Sequence, residues 1–359
     1  MMAAVLAAIN LTKIWAELSH PQYDDFRDFY VAARLGMLQG WAHLYDLNGQ
    51  QRLAEHLGLG SGWGPFVNPP PMAWMLAPLS LLPYRPAFWC WAGMLTLMLV
   101  LTWIWAAPGA GRWRWGQLCL LLAFFVVAAG VIEGQAVPII LAGVAGAWRL
   151  LRGGRQTAAG LALLPILFKP HIAFLIPIAL VSAGYRRCFL VWVSGTTILV
   201  LGSIASLGSD GLGLYAHAIG VLIGSAQLDI PLRRLISDPV ALGVVDLLTL
   251  VLMLIIARRS HSPEPAIVAG SLGSLLIAPH LNPQDFALLV LAGWLSWRME
   301  PRGRWVTILL AAGTLTLLTA PATRWWLPVV LLEILALALL TVRALPIRAY
   351  PNPARQPSV

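Results

Sequence analysis

Charged residues are scarce in this 359-residue chain. Only 11% of its residues are Asp, Glu, Lys or Arg, whereas 59% are hydrophobic, and the mean hydropathy is +0.76. A water-soluble fold cannot bury that much apolar surface, so the soluble globular classes are excluded. Apolar runs such as 86–107, 116–132 and 190–207 can cross ~30 Å of hydrocarbon as helices rising ~1.5 Å per residue. The sequence therefore predicts an all-α polytopic membrane protein.

Lysine and cysteine are also rare. Lys13 and Lys169 are the only lysines, and the three cysteines, Cys90, Cys119 and Cys188, show no metal-ligand spacing. We therefore expect no disulfide, no metal site and no cofactor. The net charge of +9 comes from cations scattered between apolar runs, so no nucleic-acid partner is expected. The partner that this pattern indicates is the lipid bilayer.

The arginines between the apolar runs predict the topology. Most of them occur in five places, 112–114, 149–155, 186–187, 258–259 and 298–304, whereas Arg233 and Arg234 break the pattern. The positive-inside rule puts these loops and both termini in the cytoplasm, with about twelve crossings in a bundle of 10–13 helices. The pattern predicts one membrane domain over 1–348, with a long first external loop at 17–69, and a cytoplasmic tail at 349–359. The stretch 72–82 is too short for a comfortable span, and we interpret it as re-entrant or interfacial.

Two later stretches predict short, broken helices that turn at the external face. The stretch 157–184 has arginines on both sides, so it crosses twice or not at all, and Pro170 disfavours helix at its centre. The stretch 264–297 repeats this arrangement around the polar turn 279–285. Polar groups at membrane depth are costly and usually line a water-filled or substrate cavity. We therefore expect the break at Pro170 to face the same cavity as the first external loop.

Unusual polar residues gather on the predicted external face. Three carboxylates, Asp24, Asp25 and Asp28, follow the first apolar run. The others are Asn68, Gln135, Lys169, His171, Arg233, Arg234, His280, Asn282 and Asp285. A one-sided set of carboxylates, amides and cations suits a polar substrate attached to a lipid. The alternatives are a solvated loop for the carboxylates and a side chain reaching to the interface for Lys169.

Several short motifs occur in a characteristic order along nearly the whole chain. They are Asp-Phe-x-x-Phe-Tyr-x-Ala at 25–32, Tyr45-Asp46, Asn68-Pro69-Pro70, Gly134-Gln135, Lys169-Pro170 and the turn at 280–285. In this order the chain resembles the family 87 glycosyltransferases of the GT-C superfamily, which depend on polyprenyl-phosphate sugars. It departs at Val67-Asn68, where an aromatic residue usually precedes the prolines, and at Ala136, where asparagine is more usual. These departures concern sugar and acceptor specificity more than reaction class.

The resemblance implies a membrane glycosyltransferase that transfers a hexose, with mannose favoured, from a polyprenyl-phosphate sugar donor. The acceptor would be a lipid-linked or envelope glycan, at the periplasmic face of a bacterial inner membrane. In the superfamily an acidic residue of the first external loop is the general base, and the motif register assigns that role to Asp25. Asp24 is the alternative base, and Asp28 could hold the acceptor or pair with a nearby arginine. We expect inverting, metal-independent transfer because one attacking hydroxyl needs one base; the alternative is a cation held by the three carboxylates.

The remaining polar residues are predicted to bind the donor. A departing polyprenyl phosphate needs fixed cations or hydrogen-bond donors. The candidates for the phosphate are Lys169, His171, His280, Arg233 and Arg234, of which the two arginines equally suit lipid headgroups. Amides and carboxylates suit sugar hydroxyls, and these candidates are Asn68, Gln135, Asn282 and Asp285. For Asp285 the alternative is to hold Lys169 in place.

A secondary transporter or a lipid flippase for an anionic or sugar-bearing substrate is the alternative function. Broken helices with buried polar groups also describe transport sites. Transporters, however, tend to bind near the membrane midplane and to show duplicated halves, whereas these clusters gather at one face. A flippase would not need Asp25.

Overall fold

The computed structural model describes residues 2–19, 25–60, 64–224, 236, 238–260, 262–299, 306–308 and 326–344. Regular structure in these ranges is helical throughout, which confirms the predicted all-α class. The α-helices are α1 (Met2–Ser19), α2 (Asp25–Gln39), α3 (Leu47–His56), α4 (Pro70–Leu76), α5 (Tyr84–Ala106), α6 (Gly111–Ala123), α7 (Phe125–Ile132), α8 (Val137–Arg152), α9 (Gln156–Ala162), α10 (Leu175–Ser182), α11 (Arg186–Gly224), α12 (Pro239–Ser260), α13 (Pro263–Ile277), α14 (Leu288–Arg298) and α15 (Trp326–Ala344). Short 3₁₀ turns lie at Trp41–His43, Leu79–Leu81, Leu164–Phe168, Pro170–Ile172 and Pro283–Ala287.

Three of the described helices are long and apolar enough to cross a membrane by themselves: α5, α11 and α12. The bent pair of α6 and α7 makes a fourth span if the two are counted together. Gly208, with φ of 62°, interrupts α11 in its middle, so this element is two helical segments joined at a kink. The polytopic membrane fold is confirmed, and about twelve crossings in a bundle of 10–13 helices stay a prediction.

The apolar run 116–132 is not the single straight helix that its hydropathy predicts. The chain leaves helical geometry at Phe124, and α6 and α7 meet at an angle of 64°. The side chain of Asn10, in α1, donates hydrogen bonds to the carbonyls of Leu122 and Ala123, at 2.8 and 2.9 Å. Because this amide satisfies carbonyls at the break, the helix can bend inside an apolar environment.

In its described residues, the segment 17–69, predicted as an external loop, is largely helical. It contains the end of α1, all of α2 and α3, and the 3₁₀ turn at Trp41–His43. Helix α2 is buried along most of its length, and Phe26 packs against Phe88 and Trp91 of α5, with ring centroids 5.3 and 6.1 Å apart. The carboxylates at the start of α2 therefore project from a packed helix, and their negative charge is favourable at a helix N-terminus.

Three helices, α8, α13 and α14, run between two chemically different ends of the bundle. At one end, Gln135 precedes α8, His280 follows α13 and Asp285 precedes α14. At the other end lie the arginines that terminate α8 and α14 and the Glu264 that begins α13. The 16 residues of α8 separate the two ends by about 24 Å, at ~1.5 Å per residue.

Candidate active site

Asp25, the first residue of α2, is held against the turn between α7 and α8. The side-chain amide of Gln135 donates a hydrogen bond to Oδ2 of Asp25. One residue further on, the backbone N–H of Phe26 donates to the carbonyl of Glu133, at 3.1 Å. Two segments more than a hundred residues apart in sequence are thus joined through both backbone and side chain.

Gly134 makes this close approach possible. It has φ of +71°, a conformation that favours glycine, and its carbonyl accepts a hydrogen bond of 2.7 Å from Nε1 of Trp91. A Cβ at this position would lie 2.5 Å from the Cβ of Phe26, which is well inside normal contact distance. A side chain here would therefore push Phe26, and with it Asp25, away from Gln135.

We expect Gly134→Ala to lower both stability and sugar-transfer activity. The left-handed conformation alone should cost about 1 kcal/mol in free energy of unfolding, and the contact with Phe26 adds to it. Gly154→Ala is the matched control, because Gly154 has φ of +73° but open space where the Cβ would be. Thermal unfolding and transfer rate should be measured on both variants. Equal losses of activity in the two would contradict the proposed role of the Phe26 contact.

A buried ion pair lies beside this junction. Nζ of Lys169 is 2.6 Å from Oδ1 of Asp285, and both side chains are almost completely buried. The other carboxylate oxygen of Asp285 accepts the backbone N–H of Asn282, at 2.8 Å. Such short, charge-assisted contacts are strong when the remaining polar atoms are also satisfied. Asp285 thus holds Lys169 in place, which was one of the two alternatives for this residue.

The backbone break at Lys169 is what brings the lysine into the site. Lys169 separates two 3₁₀ turns, with φ of −148° and ψ of 72°, and Pro170 cannot continue a helical hydrogen-bond ladder. The side-chain amide of Asn68 donates to the carbonyl of Phe168, at 3.0 Å, so the opened backbone is partly satisfied. The predicted interruption of the stretch 157–184 is thus present, and its lysine faces inwards.

Electrostatics couple Asp25 to the ion pair. Burial raises the pKa of Asp25 above its ordinary value, while the hydrogen bond from Gln135 and the charge of Lys169 lower it. The charge of Asp285 raises it again by a smaller amount. Asp25 therefore lies in the field of both partners of the pair, and burial dominates, which makes its carboxylate a stronger proton acceptor.

Glu133 is a second carboxyl group of the site, to which sequence reasoning assigned no role. Burial, followed by the nearby charge of Asp25, raises the pKa of Glu133 to about 7. Its position at the end of an apolar helix, two residues before Gln135, was the available signal. Burial and the charge of Asp25 therefore favour the protonated form of the Glu133 carboxyl group.

This raised pKa predicts a pH-dependent stability. Between about pH 4.5 and 7 the unfolded chain releases the Glu133 proton while the folded protein retains it, so stability falls as pH rises through this interval. Glu133→Gln cannot ionise and should remove this part of the decline. The check is the Tm from about pH 4 to about pH 8, with Glu55→Gln on the exposed face of α3 as the control. Parallel profiles for wild type and Glu133→Gln would exclude this contribution.

Two histidines line the same region as neutral groups. Burial lowers the pKa of His171 to about 4 and also lowers that of His280, and their ring centroids are 6.5 Å apart. At neutral pH they act as hydrogen-bonding groups, which is one of the two kinds of phosphate ligand, cations or hydrogen-bond donors, expected from the sequence. Nε2 of His171, Nδ1 of His280 and Oε1 of Gln135 are buried and have no hydrogen-bond partner in the described part of the protein. Such atoms are costly unless a ligand pairs with them.

The remaining predicted residues have other surroundings. Asp28 lies 3.6 Å from Nε of Arg27 and accepts the N–H of Gly64, at 3.4 Å. Asn282 forms a capping box with Asp285 at the 3₁₀ turn Pro283–Ala287, where it orders the loop beside Lys169. Predicted positions outside the described residues are Asp24, Arg233 and Arg234. In the described residues no group of three or more His, Cys, Asp or Glu side chains is placed to hold a metal ion.

Comparison with protein-family models matches residues 66–321 to glycosyltransferase family 87. The match spans well over half of the chain and includes Glu133, Gln135, Lys169 and Asp285, whereas Asp25 lies before it. No curated protein and no solved structure matches the chain.

Proposed function

Because the chain belongs to glycosyltransferase family 87, as its motif order indicated, we propose that it transfers a hexose from a polyprenyl-phosphate sugar with Asp25 as the general base. The family makes the protein a membrane glycosyltransferase, so a transporter or flippase is no longer favoured. Mannose as the sugar, and a lipid-linked or envelope glycan as the acceptor, belong to the proposal. So does a site at the periplasmic face of a bacterial inner membrane.

The observation that carries this proposal is the placement of Asp25. Its carboxylate is fixed by Gln135 beside a buried ion pair, in a site where burial raises its pKa. A general base works best when it is positioned, deprotonated and only moderately acidic. The carboxylate of Asp25 is positioned by Gln135 and its pKa is raised, whereas the carboxylate of Asp28 is engaged by Arg27 and Gly64.

The proposed reaction is a single displacement. The acceptor oxygen forms a bond to the anomeric carbon as its proton passes to Asp25, and the bond from that carbon to the phosphate oxygen breaks. The polyprenyl phosphate leaves with the electron pair, so its negative charge grows during the step. One displacement inverts the anomeric configuration, since no covalent sugar intermediate is formed.

The leaving group would be surrounded by one ion pair and by neutral hydrogen-bonding groups. Lys169 is paired with Asp285, and His171 and His280 are neutral. A phosphate in this site would meet a polarised ion pair and imidazole N–H donors. Preorganised donors in a dry site stabilise developing charge effectively, because they need no reorganisation during the step.

A defined transfer assay tests the proposal. The purified protein is supplied with radiolabelled polyprenyl-phosphate mannose, polyprenyl-phosphate glucose or the corresponding nucleotide sugars, and with membranes from cells that lack this chain as the acceptor pool. We expect label to pass to the acceptor from a polyprenyl-phosphate sugar, with inversion seen by NMR of the product. Transfer from nucleotide sugars alone, or a product of retained configuration, would contradict the donor class or the mechanism respectively.

A further inference from the structure

A large cavity lies at the end of the bundle opposite Asp25. Its volume is about 1480 Å³, and it is formed where α8, α12, α13, α14 and α15 end or begin. Of the described residues that line it, six are arginines and one, Glu264, is acidic. The arginines are Arg149, Arg152, Arg155, Arg259, Arg298 and Arg343.

Part of this arginine cluster is fixed by specific contacts. Arg298 donates hydrogen bonds to the carbonyls of Ala106 and Ala107, at 3.0 and 2.7 Å, and its guanidinium lies 4.9 Å from the ring centroid of Trp148. The indole N–H of Trp148 donates in turn to Glu264, at 3.0 Å. Glu264 also lies 3.6 Å from a guanidinium nitrogen of Arg152. The floor of the cavity is therefore built and preorganised.

The cavity retains a positive excess. Within the described part of the chain, Arg149, Arg155 and Arg343 form no ion pair, and Glu264 is already engaged. The positive-inside rule accounts for arginines at helix ends. It does not require that arginines from four helices and a connecting loop converge on one concave surface. Convergent guanidinium groups are a recognition device for phosphate, which they bind through paired hydrogen bonds.

The size and the apolar walls identify the kind of phosphate compound. Small-molecule pockets typically measure ~300–1,000 Å³, so this cavity has room for more than a free phosphate. Ile256, Leu340 and Trp297 line it together with the arginines. An apolar wall beside a basic cluster at the end of membrane helices suits a headgroup with its attached acyl chains.

We propose that this cavity binds the headgroup of an anionic phospholipid, with the phosphate on the arginines and the upper acyl chains against the apolar wall. The site is separate from the proposed catalytic site, which lies at the other end of α8. Because α8, α13 and α14 reach both ends, an occupied cavity would stabilise the helices whose opposite ends adjoin Gln135, His280 and Asp285.

Lipid binding can be measured without any transfer assay. The protein, purified in an uncharged detergent, is titrated with phosphatidylglycerol, phosphatidylcholine, glycerol phosphate or inorganic phosphate while Tm and bound lipid are followed. We expect saturable binding and a rise in Tm with phosphatidylglycerol only. Equal effects of phosphatidylcholine would overturn the proposal. A matching effect of glycerol phosphate or inorganic phosphate would overturn the assignment to a lipid and indicate a soluble anion.

Matched variants separate the cavity from general surface charge. The double variant Arg149→Gln with Arg155→Gln should weaken phosphatidylglycerol binding roughly 30-fold. This factor corresponds to a loss of ~1 kcal/mol of binding free energy for each arginine. The pair Arg186→Gln with Arg187→Gln removes the same charge from the exposed start of α11, outside the cavity, and should leave binding unchanged. Equal weakening of phosphatidylglycerol binding by the two double variants would overturn the proposal that the cavity is the binding site. If the first pair lowers the lipid-free Tm, Arg343→Gln alone should still weaken binding, and unchanged binding there would overturn it too.

Discussion

We expect Asp25→Asn to lower the rate of sugar transfer by about 100-fold or more. The substitution keeps the size of the side chain and can keep a hydrogen bond with Gln135, but it removes the group that accepts the proton. Loss of a positioned general base typically costs a factor of ~10²–10⁴. The measurement is the initial rate at saturating donor, with Tm determined in parallel so that a folding defect is recognised.

The controls for this variant are other carboxylates of the chain. Asp210→Asn, on the exposed surface of α11, should transfer at the wild-type rate. Asp28→Asn should affect stability more than rate, since Asp28 is buried beside Arg27 and Gly64. A folded Asp25→Asn protein with near-normal rate would remove Asp25 from the mechanism. A large loss in Asp24→Asn in that case would move the base to the neighbouring residue.

We expect breaking the buried ion pair to be the most destabilising change in the site. Lys169→Met leaves the Asp285 carboxylate buried without its cation. Asp285→Asn leaves the Lys169 ammonium buried without its anion. Removing one partner of a buried pair typically lowers the free energy of unfolding by about 3–5 kcal/mol. Denaturant unfolding in detergent micelles measures this loss, and transfer should fall with it.

The double variant Lys169→Met with Asp285→Asn distinguishes structure from chemistry. It removes both charges and keeps an oxygen that can accept the Asn282 N–H, so much of the lost stability should return. Transfer should stay low, because the leaving phosphate has lost its polarised neighbour. Recovery of both stability and rate would mean that the pair is only structural. The pair Arg52–Asp46, at 3.7 Å, in which Arg52 is exposed and Asp46 half-buried, is the control and should contribute no more than about 1 kcal/mol.

Burial makes the Asp25 site sensitive to the protein around it. Asp25 and Glu133 are carboxyl groups with raised pKa values in one electrostatic environment, and each depends on the charges of Lys169 and Asp285. A change at the ion pair is therefore expected to move the pH dependence of transfer as well as its rate. The pH profile of the double variant reports this coupling directly.

Hydropathy and local chemistry determine much of the fold before any tertiary contact is known. Long apolar runs predict helices because backbone polar groups must be paired inside a membrane. The break at Lys169 follows from two features of the sequence. Pro170 disfavours helix at this point, and the stretch around it has arginines on both sides, is too long for one crossing and is short for two. The motif order, read with these breaks, led to the correct family.

The residues of the site were partly predictable from their positions along the sequence. Asp25, Gln135, Lys169 and Asp285 are polar residues placed at the ends of apolar segments, where a solvated role or a functional one is expected. Their pairing was not predictable. Asp25 and Gln135 are 110 positions apart, and Lys169 and Asp285 are 116 apart, so no local spacing records either contact.

Only the tertiary structure decided which distant helices contact each other. It paired Lys169 with Asp285, made His171 neutral by burying it, and added Glu133 to the site. It also bent the run 116–132, where Asn10 from another helix pairs with the opened carbonyls. Helix formation depends on neighbours within a few residues, whereas charge state and pairing depend on whatever the fold packs against a group. The sequence by itself therefore determined the helical class, the break at Pro170 and the family, and packing decided the charges with which the site operates.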